Sequence, residues 1–157
     1  TQTSYRPVGV TLKRPMAQLN MGVTPENWEH VASQNILPAT ITIQIPGHST
    51  FDALTGKTVG EENVITYNLA VSGSEFTCNE KTYKSIAMCY ILSEPEEESK
   101  DITYSTYDQA GNAIRENVCI PSVLLKRNYK TNVVGNLLTR AVSYAVTVDD
   151  SQLLTDD

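Results

Sequence analysis

The residues through which this chain could do nucleophilic or metal chemistry are two histidines, three cysteines and a threonine at position 1. His48 stands beside Ser49 in Pro46-Gly47-His48-Ser49, but adjacent residues on a turn seldom aim at one proton, and a polar turn is the expected reading over a Ser-His dyad. His30 follows Glu29 on a short helix and is expected to face solvent. Cys78, Cys89 and Cys119 lie eleven and thirty residues apart with no C-x-x-C pair, which argues against structural zinc. Three buried thiols in strands are expected ahead of one disulfide and a leftover thiol. Thr1 raises one enzymatic alternative, an N-terminal threonine hydrolase whose own amine is the base. Against it, Thr1-Gln2-Thr3-Ser4-Tyr5-Arg6-Pro7 reads as a polar leader rather than the start of a core strand. There is no G-x-S-x-G, Walker loop, G-x-G-x-x-G or H-E-x-x-H. The expectation is a protein that is not an enzyme, with no catalytic residue, cofactor or metal.

Charge narrows the partners. Twelve Lys plus Arg against 18 Asp plus Glu give −6, and no basic run exceeds Lys13-Arg14 or Lys126-Arg127, so nucleic acid is a poor partner. The acidic residues of Glu94 to Glu98, and Asp149, Asp150, Asp156 and Asp157, read as a solvated loop and tail. The longest apolar run, Ile86 to Leu92, falls far short of the ~20 residues of a spanning helix, and no membrane span is expected. No signal peptide or lipidation motif is present, which fits either a cytoplasmic protein or a mature chain already processed.

The elements that would position any site are mostly strands. In Ala39-Thr40-Ile41-Thr42-Ile43-Gln44-Ile45 the odd positions are apolar and the even ones polar, the mark of a half-buried strand, and Pro46-Gly47 ends it. Val8, Val10 and Leu12 alternate before Pro15, and Ala17, Leu19 and Met21 after it, as two short strands or one broken at an edge. Thr24-Pro25-Glu26 reads as N-cap, first-turn proline and an acid facing the helix dipole, opening a short helix with Trp28, Val31 and Ala32 on one face. Ser49 to Gly56 could hold a single helical turn. Further strands are expected over Ile65 to Val71, Tyr83 to Leu92, Ile102 to Tyr107, Ile114 to Ile120, Thr131 to Leu138 and Val142 to Val148, with a hairpin loop at Asp108-Gln109-Ala110-Gly111-Asn112. Many short strands with one or two short helices imply a mostly β, antiparallel Greek-key sandwich. Residues 1–157 form a single unit, with one sub-boundary suggested at 57–63.

Two features could serve binding. Tyr83, Tyr90, Tyr104, Tyr107, Tyr129 and Tyr144 could build a stacking platform for sugars, although strands are ordinarily rich in tyrosine. At the end of the chain Val142, Tyr144, Val146 and Val148 alternate with small residues. Such a strand either closes its own sheet, the default, or is donated to a neighbour's open edge.

Four segments, Leu12 to Asn20, Phe51 to Gly56, Tyr83 to Leu92 and Lys126 to Thr139, in that order along the chain, resemble segments of fimbrillin-like surface proteins of the Bacteroidales. Leu12-Lys13-Arg14-Pro15-Met16-Ala17-Gln18-Leu19-Asn20 is similar to that family's L-[KR]-R-P-[FM]-A-Q-[IL]-N, and Phe51-Asp52-Ala53-Leu54-Thr55-Gly56 to its F-N-x-L-T-G. Tyr83 to Leu92 resembles Y-x-Y-L-A-M-N-Y-L-L. Lys126 to Thr139, containing Arg127, Asn128, Tyr129, Thr131, Asn132 and Gly135, resembles R-N-Y-R-T-N-I-x-G-N-L-L-T, with Lys130 where arginine is usual. Apart from any family, Arg127-Asn128 and Thr131-Asn132 put hydrogen-bonding groups at the entry of a strand, and Gly135 marks a bulge or a close backbone approach.

The resemblance implies an exported protein of the cell surface or outer-membrane fimbriae, built as a transthyretin-like sandwich and corresponding to the C-terminal part of a fimbrillin-like protein. Its upstream strands would then be removed by processing or supplied by another chain. Assembly by strand exchange would map onto Val142, Tyr144, Val146 and Val148, with Arg14, Pro15 and the Arg127 to Gly135 residues as structural motif positions. The expected partners are other fimbrial subunits or copies of the chain itself. The alternative is a surface-displayed adhesin that binds a host glycan or protein.

Overall fold

The computed structural model describes residues 14–152. The chain runs through β1 (Met16–Val23), α1 (Pro25–Ser33), β2 (Pro38–Gly47), β3 (Thr50–Asp52), β4 (Lys57–Val59), β5 (Asn63–Ala70), β6 (Glu75–Cys78), β7 (Lys81–Leu92), β8 (Glu98–Asp108), β9 (Ala113–Leu125), β10 (Tyr129–Asn136) and β11 (Ser143–Gln152). It is mostly β, a sandwich of a five-stranded sheet ordered β11-β10-β1-β7-β6 and a four-stranded sheet ordered β5-β2-β8-β9, with β3-β4 as a small separate hairpin.

Alternation dictates the two layers. Ala17, Leu19, Met21 and Val23 of β1 are buried on one face, against Ile41, Ile43 and Ile45 of β2 and Ile102 and Tyr104 of β8. In β7 the alternation Ala87, Cys89, Ile91 slips by one where β1 and β7 shift register at Met21/Gly22. The extra residue lets Ile86 and Ala87 both be buried. Gly22 lies where the outer face is crowded, since a Cβ there would meet the Phe76 ring at 2.5 Å.

The short helix forms as its sequence dictates. Thr24 Oγ1 accepts the Asn27 N–H at 3.1 Å, Pro25 fills the first turn, and Val31 is buried beneath. The Asp108 to Asn112 hairpin loop also forms, with Asp108 N–H bonded to Asn112 O at 2.9 Å and Gly111 at φ 84°.

Three expectations are corrected. The pairing is not wholly antiparallel: β1 and β10 run parallel, in register from Gln18↔Lys130 to Val23↔Gly135. The segment Ser49 to Gly56 is not a helical turn but the start of the β3-β4 hairpin. Asp52 carboxylate accepts the Leu54 N–H at 2.8 Å there, and Gly56 at φ 68° closes the loop. Within the suggested boundary at 57–63, Lys57–Val59 is strand β4, and Glu62 is bridged to Lys100 at 2.9 Å. Finally, Cys78 and Cys89 are buried thiols, but Cys119 is exposed, because it alternates with inward Ile120 on the edge strand β9. All three are free. The strand expected at Val8 to Leu12 lies outside the described residues.

Candidate assembly edge and motif cluster

The first and the last of the resembling segments, far apart in sequence, contribute to the neighbouring strands β1 and β10. Three loops knit together where they begin. Arg127 donates from Nε at 3.0 Å and Nη2 at 2.6 Å to the carbonyl of Ser93. The Ser93 N–H in turn bonds Pro15 O at 3.0 Å, and the Asn128 N–H bonds Met16 O at 2.9 Å. Asn128 takes φ 69°, a left-handed conformation that asparagine tolerates better than most residues. Lys126 Nζ sits 4.4 Å from the centre of the Tyr129 ring, and Arg14 lies 6.0 Å from that of Tyr90.

Further along β10, buried Thr131 donates to Leu124 O at 2.6 Å, tying the five-stranded sheet to β9 of the other sheet. Asn132 Oδ1 accepts from Asn20 at 2.9 Å, and Asn20 Oδ1 accepts from Gln18 at 2.8 Å, an amide chain on the outer face. The Gly135 backbone is approached by β11 so closely that a Cβ would stand 2.2 Å from Ser143 O and 2.7 Å from Tyr144 Cα.

Sequence reasoning missed the partner of this strand end. Buried Asn27 of α1 accepts the Leu138 N–H at 3.0 Å and donates to Thr139 Oγ1 at 3.2 Å. Thr24 donates to Asn136 at 3.0 Å, and Tyr104 donates to Leu137 O at 2.7 Å. Asn27 reads as an ordinary surface residue in a helix, and only its position one turn inside the N-cap hints at another role.

The terminal strand is paired within its own chain. β11 runs antiparallel to β10, with Val146 opposite Val133, Tyr144 opposite Gly135 and Val148 opposite Thr131. Val142 and Val146 pack on the core, whereas Tyr144 is 38% exposed. β11 ends the five-stranded sheet, so among the described residues no strand pairs with its outer side. The sheet curls until its far edge touches this one, where Cys78 Sγ lies 3.6 Å from Thr147 Oγ1. The resulting trough is polar, lined by Gln18, Asn20, Lys130, Asn132 and Asp149 among others.

The remaining candidates do not assemble into a site. His48 Nδ1 is buried with no hydrogen-bond partner, so it forms no dyad with Ser49, and His30 lies exposed beside Gln34. Thr1 lies outside the described residues. The tyrosines are dispersed: Tyr104 is in the core, Tyr83 packs on Phe76 with ring centres 6.0 Å apart, and Tyr107 belongs to the opposite sheet. Among the described residues no three His, Cys, Asp or Glu gather as metal ligands, and no helix is long and apolar enough to cross a membrane.

No curated protein and no solved structure matches the chain. The family of unknown function DUF6562 matches it over residues 2–152, and the chain belongs to that family.

Proposed function

We propose that this chain is a non-catalytic structural subunit of cell-surface fimbriae, or a fimbrillin-like accessory protein, that joins its neighbours by β-strand addition. The observation that carries the reading is the outer edge of β11, a ten-residue strand whose backbone pairs with β10 on one side and with no described strand on the other, where the Cys78 side chain of β6 reaches Thr147. A row of backbone N–H and C=O groups on such an edge is a template for another strand. Main-chain hydrogen bonds supply the attraction, and alternating side chains such as Tyr144, Val146 and Val148 set the register. In this account β11 closes its own sheet and accepts a strand, rather than leaving the sheet to be donated. The partner is another fimbrial subunit or a second copy of the chain, displayed outside the cell.

The dense bonding around Arg127, Ser93 and Pro15 supports a mechanical role, since it clamps the starts of the two parallel strands next to the edge. Light scattering after size exclusion tests the proposal. The intact chain is expected to form dimers or longer species, and Ala145→Lys, at an exposed position of β11, to give a folded monomer, because edge lysines block strand addition. A chain that stays monomeric at all concentrations, or a variant that assembles like the parent, overturns it.

A further inference from the structure

At the end of the sandwich covered by α1, the inner layer contains an arginine without a counter-ion. The β8–β9 register passes from Tyr104↔Val118 to Thr106↔Arg115, so β9 gains one residue, at Asn117. Asn117 takes φ 50° and its N–H is held by Ser105 Oγ at 2.9 Å. An inserted residue reverses the alternation of faces. Arg115, rather than Glu116, therefore shares the face of Thr106, which is fully buried beside Ile41. Arg115 Nε and Thr106 Oγ1 are both buried with no hydrogen-bond partner. The ion pairs among the described residues involve Lys84 and Lys100 only. A partly buried cation and a buried hydroxyl left unsatisfied are both costly, unless something else completes them.

A cavity of about 310 Å³ opens beside Arg115, with Arg115 and Arg140 as its cations, His30 at its rim from α1, and Val31, Ile36, Ile114 and Leu138 as its apolar wall. No acidic side chain lines it, although the chain carries −6 overall. We propose that this cavity binds a small carboxylate with an aliphatic body. The guanidinium fork of Arg115 matches a carboxylate in shape and charge, with Arg140 closing from the loop after β10. The apolar wall takes the aliphatic part. No Phe, Tyr or Trp lines the cavity, so it lacks the broad ring face on which a sugar would stack. The carboxylate is that of a free aliphatic acid or of the last residue of a peptide. The site is separate from the outer edge of β11 and stands or falls independently of strand addition.

Amide chemical shifts of the full chain, titrated with hexanoate, hexanol, N-acetylleucine and N-acetylleucinamide, test this. The carboxylates are expected to shift amides around Gln34, Ile114 and Leu138 while the neutral analogues do not. Arg115→Gln and Arg140→Gln are each expected to weaken binding about tenfold. Arg140 is exposed, so its variant keeps the reading testable even if Arg115→Gln disturbs the fold. The tighter of hexanoate and N-acetylleucine identifies the source as free acid or chain terminus. Equal shifts from the neutral analogues, no shift from either carboxylate, or unchanged binding in Arg140→Gln overturns the assignment.

Discussion

Asn20 and Asn132 join side chains at 2.9 Å across two strands that run parallel although 112 residues separate them. Parallel neighbours cannot be joined by a tight hairpin, so this pair depends on everything folded between. The contacts that hold its ends are therefore where substitutions should be felt most.

Arg127 spends two donors on one carbonyl, that of Ser93. Arg127→Ala should lower stability by about 1–3 kcal/mol, as expected for losing a charge-assisted bond. Arg127→Lys should recover only part of this, because an ammonium cannot reproduce the fork. Urea unfolding midpoints of the two variants measure it.

Gly135→Ala should be worse than its size suggests. The new methyl would fall on Ser143 O and Tyr144 Cα, which are backbone and cannot rotate away. Overpacking of this kind costs about 1–3 kcal/mol and must displace β11 from β10. Faster amide exchange at residues 143–148 than in the parent would register the displacement.

Thr106→Val should stabilise the ligand-free chain by about 1 kcal/mol. Its hydroxyl is fully buried and unbonded, so a methyl in its place removes a desolvation cost without losing a bond. Thermal unfolding gives the sign directly, and a clear loss would mean the hydroxyl has a partner.

Stability should fall in alkali. Burial pushes the Cys89 thiol up from 9.0 to about 12 and also raises the Tyr104 and Tyr67 phenols. The folded state thus keeps protons that the unfolded chain releases. The contribution from Cys89 is intact below about pH 9 and is lost as pH climbs towards 12. Urea midpoints measured between about pH 8 and about pH 11 should decline, and Cys89→Val should lessen the decline.

Much of the sandwich was legible because strand faces alternate with period two: Ile41, Ile43 and Ile45 announce β2, and Ala17, Leu19 and Met21 announce β1. Periodicity says nothing of strand direction, so the parallel β1–β10 pair could not be read. Nor could β6, whose four residues Glu75–Cys78 are too few to show a period. The β3-β4 hairpin resembled a helical turn because Ser49 or Thr50 could cap one and Gly56 could stop it, and the Asp52 to Leu54 bond that shapes the hairpin loop is a side-chain matter. The Arg115 cavity was hidden for a related reason. It depends on a bulge at Asn117 that reverses the faces of β9, and on Leu138 and Arg140 arriving from the other sheet.

The central claim is that a strand adds to the outer edge of β11, and hydrogen exchange resolved along that strand tests it most directly. On assembly, the amides of residues 143–148 that point away from β10 should become protected, while those of β9, at an edge of the other sheet, keep their rates. If β11 amides exchange at the same rate in assembled and monomeric protein, the edge is not the joint and the proposed mechanism is wrong.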